Sequence, residues 1–174
     1  MIDSRTIYDR ASEVRKLSPA HDLLQTAEEL GIDVVFSDRY TELLGMYTCR
    51  WRHRFIFLND RMDEEMTRMV LAHEIGHDRL HRPLAANGLL QEFTLFNMKD
   101  KTEYEANAFA AHLLLDDKDV LDRIYAGYDV SEIARDLHVD INLLLIKTQE
   151  LNRIGNEFRL PFEPDSAFFR KIHC

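Results

Sequence analysis

The sequence predicts an α+β fold: a small, mostly antiparallel sheet packed on two helices, with a helical annex toward the C-terminus. Three observations carry this. Short runs rich in β-branched and aromatic residues cluster between positions 32 and 58. From Met62 the apolar period switches to helical steps of three and four. The stretch EYEANAFAAHLLL and the region beyond position 117 keep that helical cadence, with little Gly or Pro to interrupt it.

Taken in order, Ser18-Pro19 offers an N-cap with proline at the first helical position, and Leu23, Leu24, Ala27 and Leu30 recur at helical spacing until Gly31 ends the helix. Strands are expected at Ile32 to Phe36, Leu43 to Cys49 and Arg54 to Leu58, separated by polar turns. In the next helix Met66, Met69, Val70, His73, His77 and Leu80 share one face, the acid-rich run Asp60 to Glu65 suits its N-terminal dipole, and Pro83 ends it. Met62, Met66 and Met69 form a stripe that core packing explains. Residues 84–101 read as an irregular connection, and an apolar helix follows from about Thr102 to Leu115. Two or three short helices fill 117–154, and the tail from Gly155, with Pro161 and Pro164, reads as irregular. The organisation expected is one domain over 1–155, with a core at about 19–117, an annex at about 118–155 and a tail over 156–174.

With 174 residues the chain can bury a self-sufficient core, and 45% hydrophobic against 30% charged residues excludes a disordered chain. The net charge of −9 argues against a general nucleic-acid or anionic-membrane binder. The first twenty residues carry charges throughout and lack a secretory apolar stretch, and no apolar run approaches a membrane span. Cys49 and Cys174 form no metal-spaced pair and suit a reducing compartment. A cytoplasmic protein is expected.

Chemistry concentrates in LAHEIGHDRL. His73 and His77 lie one helical turn apart and project from nearly one face, so two imidazoles can converge on one ion. Glu74 lies about 100° around the helix, placed to act on a water at an open coordination position rather than to ligate. A lone histidine on an apolar face is usually a core residue; two at this spacing with Glu between them favour a metal. His81 continues the series but lies about 12 Å along the helix from His73, too far to share one ion, and reads as a last-turn residue facing the dipole. The third donor is sought at Glu103 or Glu105. Glu103 shares a face with Asn107, Ala110 and Ala111, while Glu105 points about 200° away. Glu103 is preferred as ligand, with Asn107 free to bond the second nitrogen of a liganding histidine. Glu105 is the alternative.

HEIGH followed about 25 residues later by EYEANAFAAHLLL resembles the ImmA/IrrE family of zinc metallopeptidases, zincins with HExxH plus a downstream Glu, over roughly residues 20–155. The resemblance, to ImmA-like members of the phage and mobile-element type, implies a zincin-like fold and one Zn2+, with Mn2+ or Fe2+ as alternatives. His73, His77 and Glu103 match the ligands, Asn107 the ligands' companion and Glu74 the catalytic acid/base. It also implies cleavage of a specific helix-turn-helix repressor. The strand ending at Leu58 is a candidate to pair with an extended substrate, and Tyr104, His112 and Tyr125 are candidate oxyanion partners.

Residues 129–151 have the rhythm of a helix-turn-helix. However, Arg135, Lys147 and Arg153 face five acidic residues there (Asp129, Glu132, Asp136, Asp140, Glu150), and the would-be reading helix opens on Asn142-Leu143-Leu144-Leu145-Ile146. Base-reading side chains are missing where they are needed, so no direct nucleic-acid contact is expected. A packed helical pair that holds the repressor fits better. The competing function is a metal-containing antirepressor that sequesters a regulator without hydrolysis. Glu74 favours the peptidase, because a structural zinc site needs no base and closes its fourth position with another Cys or His. Trp51, beside Arg50, Arg52 and His53, marks one basic-aromatic surface patch.

Overall fold

The computed structural model describes residues 2–17, 22–51, 53–86 and 101–158. The chain opens with α1 (Ser4–Arg15), which the sequence reading did not anticipate. Asp3 caps it by accepting from the Thr6 amide, and Ile7, Ala11 and Val14 form its narrow buried stripe. In α2 (Leu23–Glu29) the N-cap is Asp22, which accepts from the amides of Leu24 and Gln25. The predicted cap at Ser18-Pro19 lies outside the described residues. Gly31 ends α2 as expected: at φ 70° it takes the left-handed conformation, and the Ile32 amide returns to the Ala27 carbonyl.

Three strands follow: β1 (Asp33–Ser37), β2 (Gly45–Arg50) and β3 (His53–Asn59). Their order is β1-β3-β2. The expectation of a mostly antiparallel sheet needs correction, because β1 runs parallel to β3 while β2 pairs with it antiparallel. The tight β2–β3 hairpin forces the antiparallel ladder. The segment between β1 and β2 then carries the chain past β3, so β1 is left parallel on the far side. Exposed Trp51 forms the hairpin tip at φ 48°.

The long α3 (Glu64–Ala86) crosses one face of the sheet, with Ile56, Leu58 and Tyr47 buried beneath it. It does not stop at Pro83, as the sequence suggested, but passes through it. Proline cannot donate to the carbonyl four residues back, and Arg10 of α1 supplies the missing donor, its Nη1 lying 2.9 Å from the Arg79 oxygen. Residues 87–100 of the expected connection lie outside the described residues. Then α4 (Lys101–Leu114) packs on α3, followed by α5 (Asp117–Tyr125), α6 (Val130–Asp136) and α7 (Ile141–Arg153). Asp116, Asp129 and Asp140 cap the last three helices, α6 with a full capping box to Glu132. Leu143 to Ile146 are all buried and α7 packs on α4, so the face that would have to read bases is committed to the core. Among the described residues no helix is long and apolar enough to cross a membrane.

Candidate metal centre

Two sets of contacts fix α3. On the sheet side, buried Asp78 accepts from the Tyr47 hydroxyl at 2.8 Å, from Arg54 at 3.3 Å and from Arg82 at 2.8 Å. On the other side Gly76 lets α4 come close: a Cβ there would stand 3.1 Å from the Ala106 oxygen and 3.2 Å from its Cα. The absence of that side chain brings Glu103, Glu105 and Asn107 against the histidines. The helices pair in opposite senses, Asn107 meeting His73 while Glu105 meets His81.

His73, His77 and Glu103, all buried, offer ligand atoms within 4.8 Å of one another. The two Nε2 atoms are 3.0 Å apart, and Glu103 carboxylate oxygens lie 3.3 Å from that of His73 and 3.4 Å from that of His77. Donors on a tetrahedral zinc at about 2.05 Å stand about 3.3 Å apart, so the spacing fits. His73 Nδ1 donates to the Asn107 amide oxygen at 2.8 Å, which leaves its Nε2 with a lone pair turned to Glu103. Neither Glu103 oxygen has a hydrogen-bond partner of good geometry among the described residues. Burial raises this carboxyl; when protons in place of a cation sit on the His73 and His77 rings, their hydrogen bonds and charge outweigh burial and hold it well below the usual range. A buried carboxylate facing two ring lone pairs suits a divalent cation, and the donor set admits zinc, manganese or iron.

Glu74 is also buried but turns toward the sheet. Its Oε1 would lie 3.0 Å from a Cβ at Gly45, whose absence leaves room for the carboxylate. Burial pushes the Glu74 carboxyl up to about 7, with His77 pulling it down and Glu103 pushing it up. Such a group exchanges a proton readily near neutrality.

The strand beside Glu74 is β2. Because the Asn59 amide bonds to the Leu44 carbonyl, the ladder alternation turns the backbone groups of Gly45, Tyr47 and Cys49 away from β3, toward the sheet edge that no other strand among the described residues covers. The expectation that the strand ending at Leu58 pairs with substrate is therefore corrected: β3 is central and both of its edges are taken. The oxyanion candidates also lie elsewhere. Tyr104 donates to Glu150 at 2.6 Å, His112 sits 3.0 Å from Lys147 and Tyr125 is exposed.

His81 departs from its sequence expectation, and Glu105, which points away from Glu103 as expected, has a partner the sequence did not assign. His81 does not simply face the helix end; it is buried between His77 and Glu105. Glu105 turns away from the three donors, and its Oε2 lies 2.9 Å from His81 Nε2. The available signal was the continued i, i+4 series His73, His77, His81 beside the doubled acid Glu103-Tyr104-Glu105.

A helix carrying HExxH lies under a small sheet, and a second helix brings a carboxylate to the two histidines. Over residues 27–149 the chain matches the Peptidase_M78 model, described as the IrrE N-terminal-like domain, and it belongs to this family. It is also 37% identical over 93 residues to "Uncharacterized immunity region protein 2" of Bacillus phage phi105. That match covers 53% of this chain and 58% of the phage protein's length.

Proposed function

We propose that this protein is a zinc-dependent endopeptidase that cleaves a specific helix-turn-helix repressor, with His73, His77 and Glu103 as metal ligands and Glu74 as general base. The observation that carries the reading is the spacing of the three buried donors, 3.0 to 3.4 Å, with Glu74 on the same helical turn. A bound zinc ion supplies a Lewis acid that polarises a peptide carbonyl and acidifies water. Asn107 holds the His73 ring so that its Nε2 lone pair faces inward. Glu74 takes the proton from the attacking water and delivers it to the departing amide nitrogen. Burial, which lifts the Glu74 carboxyl to about 7, suits it to both halves of that transfer.

Substrate is expected as an extended segment along the open edge of β2, taking hydrogen bonds from the backbone of residues beside Glu74. The family and the phage relative's name as an immunity region protein support a repressor as target. The test is to incubate a helix-turn-helix repressor encoded beside this gene, where the genome carries one, with zinc-loaded wild-type and Glu74→Gln protein and read intact masses. Two fragments summing to the repressor plus one water, with wild type alone, are expected. An intact repressor that co-purifies with both forms would favour the antirepressor reading, and cleavage by Glu74→Gln at the wild-type rate would remove Glu74 from its role.

A further inference from the structure

His73 and His77 are oriented by different means. Behind His73 stands one neutral amide oxygen, that of Asn107. Behind His77 stands a second imidazole: His77 Nδ1 and His81 Nδ1 are 3.1 Å apart, and His81 Nε2 is 2.9 Å from Glu105 Oε2. All three side chains are buried. The other Glu105 oxygen is also engaged, accepting from the Ile2 backbone amide at 2.7 Å.

Hydrogen-bond direction along this chain is set from its far end. A carboxylate only accepts, so His81 must donate from Nε2 to Glu105. A neutral ring with its proton on Nε2 carries a lone pair on Nδ1, so His81 Nδ1 accepts and His77 Nδ1 must donate. That fixes the proton of His77 on Nδ1 and its lone pair on Nε2, the atom facing His73 and Glu103. Without the carboxylate, His81 and His77 are free to reverse, which would put a proton on His77 Nε2 where a ligand needs a lone pair. The backbone bond from Ile2 keeps the carboxylate from turning away.

We propose that Glu105 and His81 are a positioning pair that sets the tautomer and ring orientation of His77 through a Glu105–His81–His77 hydrogen-bond chain, and so sets the metal affinity of the site. The inference rests on the metal-centre reading above. Partners behind a liganding histidine commonly carry 10- to 100-fold in metal affinity. A histidine relay to a carboxylate does so here without either residue touching the ion. It also explains why the second acid of Glu103-Tyr104-Glu105 is buried although it points away from the three donors.

The test is competitive zinc titration of the full chain against a chromophoric chelator, for wild type, Glu105→Gln, His81→Leu and His81→Asn. Circular dichroism and the metal-free melting temperature are measured for each. Glu105→Gln and His81→Leu are expected to lose roughly 10- to 100-fold in zinc affinity. His81→Asn puts an amide oxygen near the place of ring Nδ1 and is expected to recover most of that loss. Nitrogen-15 spectra of the metal-free protein should show His77 with its proton on Nδ1 in wild type and a mixture of tautomers in Glu105→Gln. Wild-type affinity in folded Glu105→Gln and His81→Leu would overturn the inference, as would a metal-free wild type with the His77 proton on Nε2. A wild type that binds no zinc would bring down the metal-centre reading itself, and this inference with it.

Discussion

Gly45 has a task that no side chain could share. A Cβ at this position would sit 2.5 Å from Val70 Cγ1 and 3.0 Å from Glu74 Oε1, between the HExxH helix and the edge strand. Gly45→Ala is expected to cost about 1–3 kcal/mol by overpacking. Adding Val70→Ala should restore much of that, because the tighter contact is to Val70; denaturant titration of the two single variants and the double variant checks the coupling. A second buried residue sets a pH response. Burial, reinforced by the Lys147 charge, pushes the His112 ring down to about 3 from its ordinary 6.5. Between those values the unfolded chain binds a proton that the folded chain refuses, so this residue makes stability fall as pH drops below 6.5. The slope approaches about 1.4 kcal/mol per pH unit for one proton. Asp117, Arg15 and Tyr8 surround the same group, so the direct check is His112→Gln, which should flatten the melting temperature between pH 6.5 and 4.5 relative to wild type.

The helices succeed or fail by their ends and interruptions. Pro83 sits inside α3, and the carbonyl it leaves unpaired, that of Arg79, receives Arg10. Removing that donor with Arg10→Leu should destabilise by about 1–3 kcal/mol, through a half-buried carbonyl left unsatisfied, and fray the last turn of α3. Amide exchange at residues 82–86 against the rest of α3 would report it. Contacts of this kind explain what the sequence could and could not tell. The pairing of His73 with His77 was legible because i, i+4 spacing fixes a helix face wherever the helix lies, whereas Glu103 on α4 was reached through the face it shares with Asn107 and the family resemblance. Passage through Pro83 was not legible, since the donor that rescues the Arg79 carbonyl is 69 positions before it, in a helix the sequence did not announce. That helix, α1, hides its core side in Ile7, Ala11 and Val14 among charged neighbours. The bond between His81 and Glu105 was equally out of reach, because it needs the sense and offset with which α4 crosses α3. The Gly76–Ala106 approach sets that offset, and no local pattern announces it. Strand order failed for the same reason: periodicity tells which residues form a strand but not which side of β3 each neighbour takes.

Taken whole, the molecule clamps one buried polar layer between two packed halves. The sheet and Asp78 hold α3 from one side, while α4, itself backed by α1 and α7, holds it from the other. Within that layer Glu103, Glu74, His73 and His77 are nearly inaccessible. Burying so many polar and charged groups is costly unless a cation and hydrogen bonds compensate them. The membership in the Peptidase_M78 family and this layer lead to one expectation about the whole chain: a single divalent ion at a defined point. The most direct measurement is an anomalous difference map at the zinc edge from a crystal grown with zinc. The account predicts one strong peak at bonding distance, about 2.1 Å, from His73 Nε2, His77 Nε2 and a Glu103 oxygen, with Glu105 not in contact. A peak coordinated by Glu105 instead, or no peak among these three side chains, would contradict it.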